Sequence, residues 1–367
     1  MRFKLAGLLI LVLAVFWSLL FFFWFNSRKT LQFFDGSNQQ IGYFGRFDKT
    51  EPTSPKVWAP GAYIEFNFEG TFCEIELEDE LRFLVHHNYI EIVIDGGVPE
   101  RMQLSSKFNT INIGRNLSKG KHHVVICKNT ESAIGYLKFI GVRCANLLPL
   151  KKSRKKYFEF IGDSITCGNG SDNSQIPFNK GKWYDYHNAY MSYAALLARK
   201  CDVDYLLSAV SGIGLKKSCC GIDYSMPDVY DRISFDKNNK KWEFTKQPIP
   251  TIVFITLGQN DGFNTNQLFE KAYVGFIQKL RLNYKNSTII CCVSPMSSKK
   301  LKRQLTNCID HVVLKMRAVG DKKIMRFAYN NIYNGGHDKH PTLAQHQLMM
   351  KELYNFVAKN ALLVAKN

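Results

Sequence analysis

The sequence predicts an α/β protein: a parallel sheet covered by helices, preceded by a β-sandwich domain and an N-terminal transmembrane helix. Three observations carry this reading. Near residue 157 the hydrophobic pattern changes from strict alternation to a strand–helix–strand rhythm. Turn residues punctuate the first half at short intervals. An apolar run near the start is about long enough to cross a bilayer as a helix.

Taken in order, Leu5 through Phe25 carries no charge, with Arg2 and Lys4 before it and Arg28 and Lys29 after it. It ends in Leu20-Phe21-Phe22-Phe23-Trp24-Phe25, which suits an aromatic interface anchor and not a small-residue cleavage site. The expectation is an uncleaved signal anchor through residues 5–25. It would make a single-pass membrane protein with the rest of the chain in the periplasm or otherwise outside the cytosol. Positive charge is similar on both flanks, so the positive-inside rule leaves the orientation open.

Residues 30–60 are polar and rich in Gly and Pro. From Ala62 to Val142 the period is two: Ile64, Phe66 and Phe68, then Cys73, Ile75 and Leu77, alternate with polar residues. Ile90, Ile92 and Ile94 follow and run into the turn Asp95-Gly96-Gly97. Short alternating strands between turns indicate a β-sandwich. Pro149 and a cluster of cations (Lys151, Lys152, Arg154, Lys155, Lys156) mark a linker. The predicted division is 1–29, 30–150 and 151–367.

Beyond the linker, Tyr157 to Ile161, Val203 to Val210, Thr251 to Leu257 and Thr288 to Val293 read as strands. Helical patterns fill Ala189 to Lys200, Gln267 to Tyr284, Leu301 to Arg317 and Leu343 to Lys359. Such alternation gives a parallel sheet, and ligands bind outside the carboxyl ends of its strands.

Composition narrows the function classes. With 46% hydrophobic and 22% charged residues among 367, the chain is globular and not disordered. The net charge of +18 fits a solvated lysine-rich surface, or attraction to anionic polymers or headgroups. No zinc-ligand spacing or RNA-binding signature accompanies it, so no nucleic-acid partner is expected. The ten cysteines form no CxxC and no metal-ligand set, which reads as mostly small buried hydrophobes.

The chemistry-bearing residues sit at predicted strand ends. The first strand breaks at Gly162 into Asp163-Ser164-Ile165-Thr166-Cys167-Gly168. A serine on such a turn is lifted clear of the sheet edge, where a base can reach its hydroxyl. Ser211-Gly212, then Gly258-Gln259-Asn260-Asp261, then Asp338-Lys339-His340-Pro341 follow. Together they read as nucleophile (Ser164), base (His340), orienting acid (Asp338) and oxyanion donors: the N–H groups of Ser164 and Gly212 and the amide of Asn260. Gly214 is the alternative donor if the turn register shifts by two. His337 and His346 compete with His340, and a dyad completed by a backbone carbonyl would also function without Asp338.

The four blocks in this order resemble the SGNH (GDSL-type) hydrolases, which implies a flavodoxin-like three-layer domain. The preceding β-sandwich, with Phe68-Glu69-Gly70-Thr71 and Ile94-Asp95-Gly96, is similar to that of carbohydrate esterase family two, as is Ser211-Gly212-Ile213-Gly214-Leu215. The resemblance implies a jelly-roll-like sandwich, no cofactor or metal, and a serine esterase removing O-acetyl groups from a polysaccharide such as xylan or mannan. His337 stands where that family usually carries Cys. Two other readings stay open: a lipid or thioester hydrolase of GDSL type, and a carbohydrate-binding protein with an inactive hydrolase domain.

Overall fold

The computed structural model describes residues 31–114, 117–150, 156–262 and 266–362. Ten strands between Gln32 and Leu148 join in one antiparallel sheet system, its backbone the long strand Tyr63–Asp79 paired with Lys121–Lys128 and Leu137–Leu148. The period-two pattern places Phe66, Phe68, Cys73, Ile75 and Leu77 in the core, and Glu74, Glu76 and Glu78 only part-buried on the opposite face. This N-terminal β-rich domain therefore follows the alternation of its sequence.

The second sheet has five parallel strands, in the order Asp204–Ala209, Tyr157–Gly162, Ile252–Thr256, Thr288–Val293, Ile324–Ala328. Its three central strands are buried on both faces, so they read as near-continuous apolar runs. Phe158, Phe160 and Phe254 point to one face, and Phe160 stacks on Phe254 with centroids 4.6 Å apart. Ile161, Val253 and Ile255 point to the other. The helices Tyr193–Lys200, Asn266–Asn283, Lys299–Ala318 and Leu343–Lys359 cover the sheet. The edge strand Ile324–Ala328 escapes the sequence reading because only Ile324 and Phe327 of its five residues are buried and it carries little pattern.

Chain order places the first strand between the second, at the sheet edge, and the third. The crevice at this reversal is where α/β sheets bind ligands. All four predicted blocks follow carboxyl ends of these strands.

Polar contacts from several residues join the β-rich domain to the parallel-sheet domain. Arg46, fully buried, donates to the carbonyls of Tyr230 (2.5 Å) and Arg232 (2.9 Å), to Ser208 (3.1 Å), and pairs with buried Glu159 (3.4 Å). Arg101 donates to the carbonyls of Asp185 (2.7 Å) and His187 (2.9 Å). The Tyr63 hydroxyl donates to Asp204 (2.9 Å).

The expected membrane anchor is not upheld. No helix among the described residues is long and apolar enough to cross a membrane. The two longest, Asn266–Asn283 and Lys299–Ala318, are amphipathic and carry Lys and Arg on their outer faces. Residues 5–25 lie outside the described residues, as does most of the cationic linker. The single-pass topology and the extracytoplasmic placement drawn from it are withdrawn.

Candidate active site

The strand Tyr157–Gly162 stops because Asp163 caps the next turn: its carboxylate accepts the Ile165 N–H at 3.1 Å, opening the short helix Ser164–Cys167. Asp163 is fully buried, and burial pushes its carboxyl up to about 7 against the opposing N–H bond. Ser164 is thereby presented at the first helical position. Its hydroxyl donates to His340 Nε2 at 2.9 Å.

His340 reaches Ser164 from a loop after the last strand. That loop lies against Gly170, where a Cβ would fall 2.5 Å from the His337 carbonyl and 2.7 Å from His340 Cβ, so a side chain there would displace the base. Pro341 and the Thr342 cap, whose hydroxyl accepts the Gln345 N–H at 3.2 Å, lead into the final helix. Burial lowers the His340 imidazole below its ordinary value, opposed by its contact with the His337 carbonyl and by the charge of Asp338. The ring is therefore held neutral and able to accept a proton.

The base is oriented through the main chain, the alternative to Asp338 that the sequence leaves open. Nδ1 of His340 donates to the main-chain carbonyl of His337 at 3.2 Å. Asp338 and Lys339 both have left-handed backbones (φ 49° and 57°), turning the His337 carbonyl towards the ring. The Asp338 carboxylate acts on the ring through its charge and not through a side-chain hydrogen bond. The competing histidines lie apart from Ser164. His337 packs on Tyr186 and meets Asn179 at 3.0 Å, while His346 is fully buried and accepts the Tyr193 N–H at 3.1 Å.

The expected oxyanion donors converge on the same edge. Among the described residues, neither the Ser164 nor the Gly212 N–H has an acceptor within the chain. Gly212 adopts φ +78°, and a Cβ there would press on Cys219 Sγ (3.2 Å) and Ile222 (3.3 Å). The Asn260 amide rests on the Ile213 carbonyl at 2.9 Å. Asp261 ties this loop to the Gly212 loop, accepting the N–H groups of Leu215 (2.9 Å), Lys216 (2.6 Å) and Lys217 (3.0 Å).

These residues line a cavity of about 880 Å³ whose walls include Trp58, Tyr136, Trp183 and Tyr224. Trp58 and Tyr136 come from the β-rich domain and had no motif to announce them. In the helical turn Trp183–Tyr186, Trp183 faces the cavity, whereas Tyr184 and Tyr186 are core. Cys219 and Cys220 form a disulfide on the cavity wall, and seven of the other eight cysteines are buried and free. Among the described residues no group of His, Cys, Asp and Glu is arranged to hold a metal.

Two family models match the chain: the carbohydrate esterase 2 N-terminal domain over residues 43–150, and the GDSL-like lipase/acylhydrolase family over 160–348. A family two carbohydrate esterase from Clostridium thermocellum, solved with cellohexaose, superposes with a TM-score of 0.80 at 30% identity, covering 88% of this chain and 100% of that one. The chain belongs to the family two carbohydrate esterases. This family comprises SGNH-type carboxylic ester hydrolases. The chain is 32% identical over 334 residues to the cellulase/esterase CelE of Acetivibrio thermocellus, spanning 39% of that longer protein. It is 25% identical to an acetylxylan esterase / glucomannan deacetylase of Cellvibrio japonicus, covering 82% of this chain and 84% of the relative. Family membership agrees with the SGNH-type fold, the β-rich domain ahead of the parallel sheet, and a cavity shared by both.

Proposed function

We propose that this chain is a serine esterase that removes O-acetyl groups from a carbohydrate. The 2.9 Å contact between Ser164 and His340 at the floor of the cavity is the observation that carries the reading. Ser164 Oγ attacks the acetyl carbonyl as His340 Nε2 takes its proton. The tetrahedral oxyanion falls to the N–H groups of Ser164 and Gly212 and the Asn260 amide. His340 then protonates the departing sugar oxygen, and water repeats the sequence to free acetate. Asp338 supports the imidazolium by charge. The His337 carbonyl orients the ring.

The aromatic walls favour a sugar over a lipid chain, since ring faces stack on pyranose C–H surfaces while neighbouring polar groups meet the hydroxyls. We read residues 30–150 as a jelly-roll-like β-sandwich that shapes this cavity, and 151–367 as the hydrolase domain. Hydrolysis of 4-nitrophenyl acetate and butyrate, beside Ser164→Ala and His340→Ala, tests the proposal. Acetate turnover that collapses in both variants and exceeds butyrate turnover is expected. Faster butyrate turnover would direct the assignment to lipid esters, and variants as active as wild type would remove the site.

A further inference from the structure

Glu131 lies in the β-rich domain, after the strand Lys121–Lys128, yet its carboxylate reaches the catalytic edge. Oε2 accepts the main-chain N–H of Ser211 at 2.5 Å. The next N–H in the chain is that of Gly212, which has no acceptor of its own among the described residues. Glu131 is completely buried, and its placement is enforced from behind. Lys128 Nζ, also fully buried, donates to the carbonyls of Thr130 (2.7 Å) and Glu131 (3.2 Å). Cys167 Sγ lies 3.7 Å from Oε2, and His187 Nε2 lies 3.8 Å from Oε1.

We infer that Glu131 is a positioning residue for the oxyanion hole, through which the β-rich domain sets the direction of the Gly212 N–H. This rests on the oxyanion role proposed above for Gly212. The loop Val210–Gly214 needs such a fixed point. Gly212 has a left-handed backbone, and beyond Glu131 the Ser211 hydroxyl meets Cys167 and takes a long bond from Asn169 (3.3 Å). A donor must already point at the place where charge develops, because reorienting it during reaction forfeits the stabilisation. Clamping the preceding N–H in a buried hydrogen bond restricts that peptide group. The β-rich domain thus completes the catalytic centre in addition to walling the cavity.

Glu131→Ala and Glu131→Gln in the full chain test this. They are compared by kcat and KM on 4-nitrophenyl acetate, with sites counted by fluorophosphonate titration and folding followed by Tm. Glu131→Ala is expected to lower kcat per titrated site by about 10- to 100-fold, below the loss from deleting a donor outright, with KM within about two-fold. Glu131→Gln, whose amide oxygen can still accept from Ser211, is expected to stay within about five-fold of wild type. If Glu131→Ala does not fold, Glu131→Met, similar in length but without an acceptor, takes its place with the same expected loss. A wild-type kcat per site in the Ala or Met variant, or a Gln variant as slow as either, would overturn the inference. Full activity in Asn260→Ala would instead strike the oxyanion reading itself.

Discussion

His340 leans on its own loop: Nδ1 donates to the main-chain carbonyl of His337, three residues back, at 3.2 Å. The carbonyl is fixed to the backbone, so ring orientation survives loss of the neighbouring acid. A triad that depends on its aspartate loses about 10⁴-fold in kcat when that aspartate is neutralised. Asp338→Ala is expected to cost no more than about ten-fold, because it removes a charge and not the orienting bond. Since the Asp338 charge raises the His340 pKa, its removal shifts the acid limb of the kcat/KM profile to lower pH. A loss of several thousand-fold, or an acid limb moving upward, would return Asp338 to the orienting role.

The Asn260 amide sits on the Ile213 carbonyl, beside the free N–H groups of Ser164 and Gly212. Asn260→Ala is expected to lower kcat by about 10²–10³-fold, roughly 3–4 kcal/mol of transition-state stabilisation, with little change in KM. Steady-state kinetics on 4-nitrophenyl acetate measure this. A change confined to KM would assign Asn260 to substrate binding.

Activity and stability share an acid boundary. Burial lowers His340 below 6.5 and His187 far below it, and takes His346 down to about 3. As pH falls below about 6.5 the unfolded chain takes up protons that the folded chain refuses, so stability declines with falling pH through that window. The base stays neutral and active into mildly acidic solution. A kcat/KM profile whose acid limb lies below 6.5, with Tm falling over the same range, is expected. An acid limb above 7 would contradict the burial argument.

Arg46 ties the β-rich domain to the strand Tyr157–Gly162 through Glu159, with no solvent at either side chain. Removing one member of a buried pair strands the other charge, at about 3–5 kcal/mol. Arg46→Ala is therefore expected to lower stability by that amount in urea denaturation. A further Glu159→Gln substitution should recover part of it. Additive losses would show that the two residues act independently.

Much of the site was legible because its members are local to strand ends. Ser164, Gly212 and Asn260 each stand a few residues beyond a buried apolar run, and His340 precedes a capped amphipathic helix. The covering helices were found within a few residues, since their apolar stripes face the sheet. What stayed hidden depends on packing across distance or on backbone geometry. Glu131, Trp58 and Tyr136 lie far from any motif and reach the cavity only when the two sheets meet. The left-handed turn at Asp338 and Lys339 sets the His337 carbonyl against the ring, a choice between carboxylate and carbonyl that residue spacing left open. An apolar run with an aromatic end suggested the membrane anchor, and none of the described helices supplies a span.

The most direct test of the account is acetate release from acetylated glucomannan, measured for the full chain beside Ser164→Ala. The account predicts steady release by wild type and a loss of at least about 10³-fold in the variant, with the polymer backbone left intact. Equal release by both proteins, or none from a wild type that still binds the polymer, would contradict it.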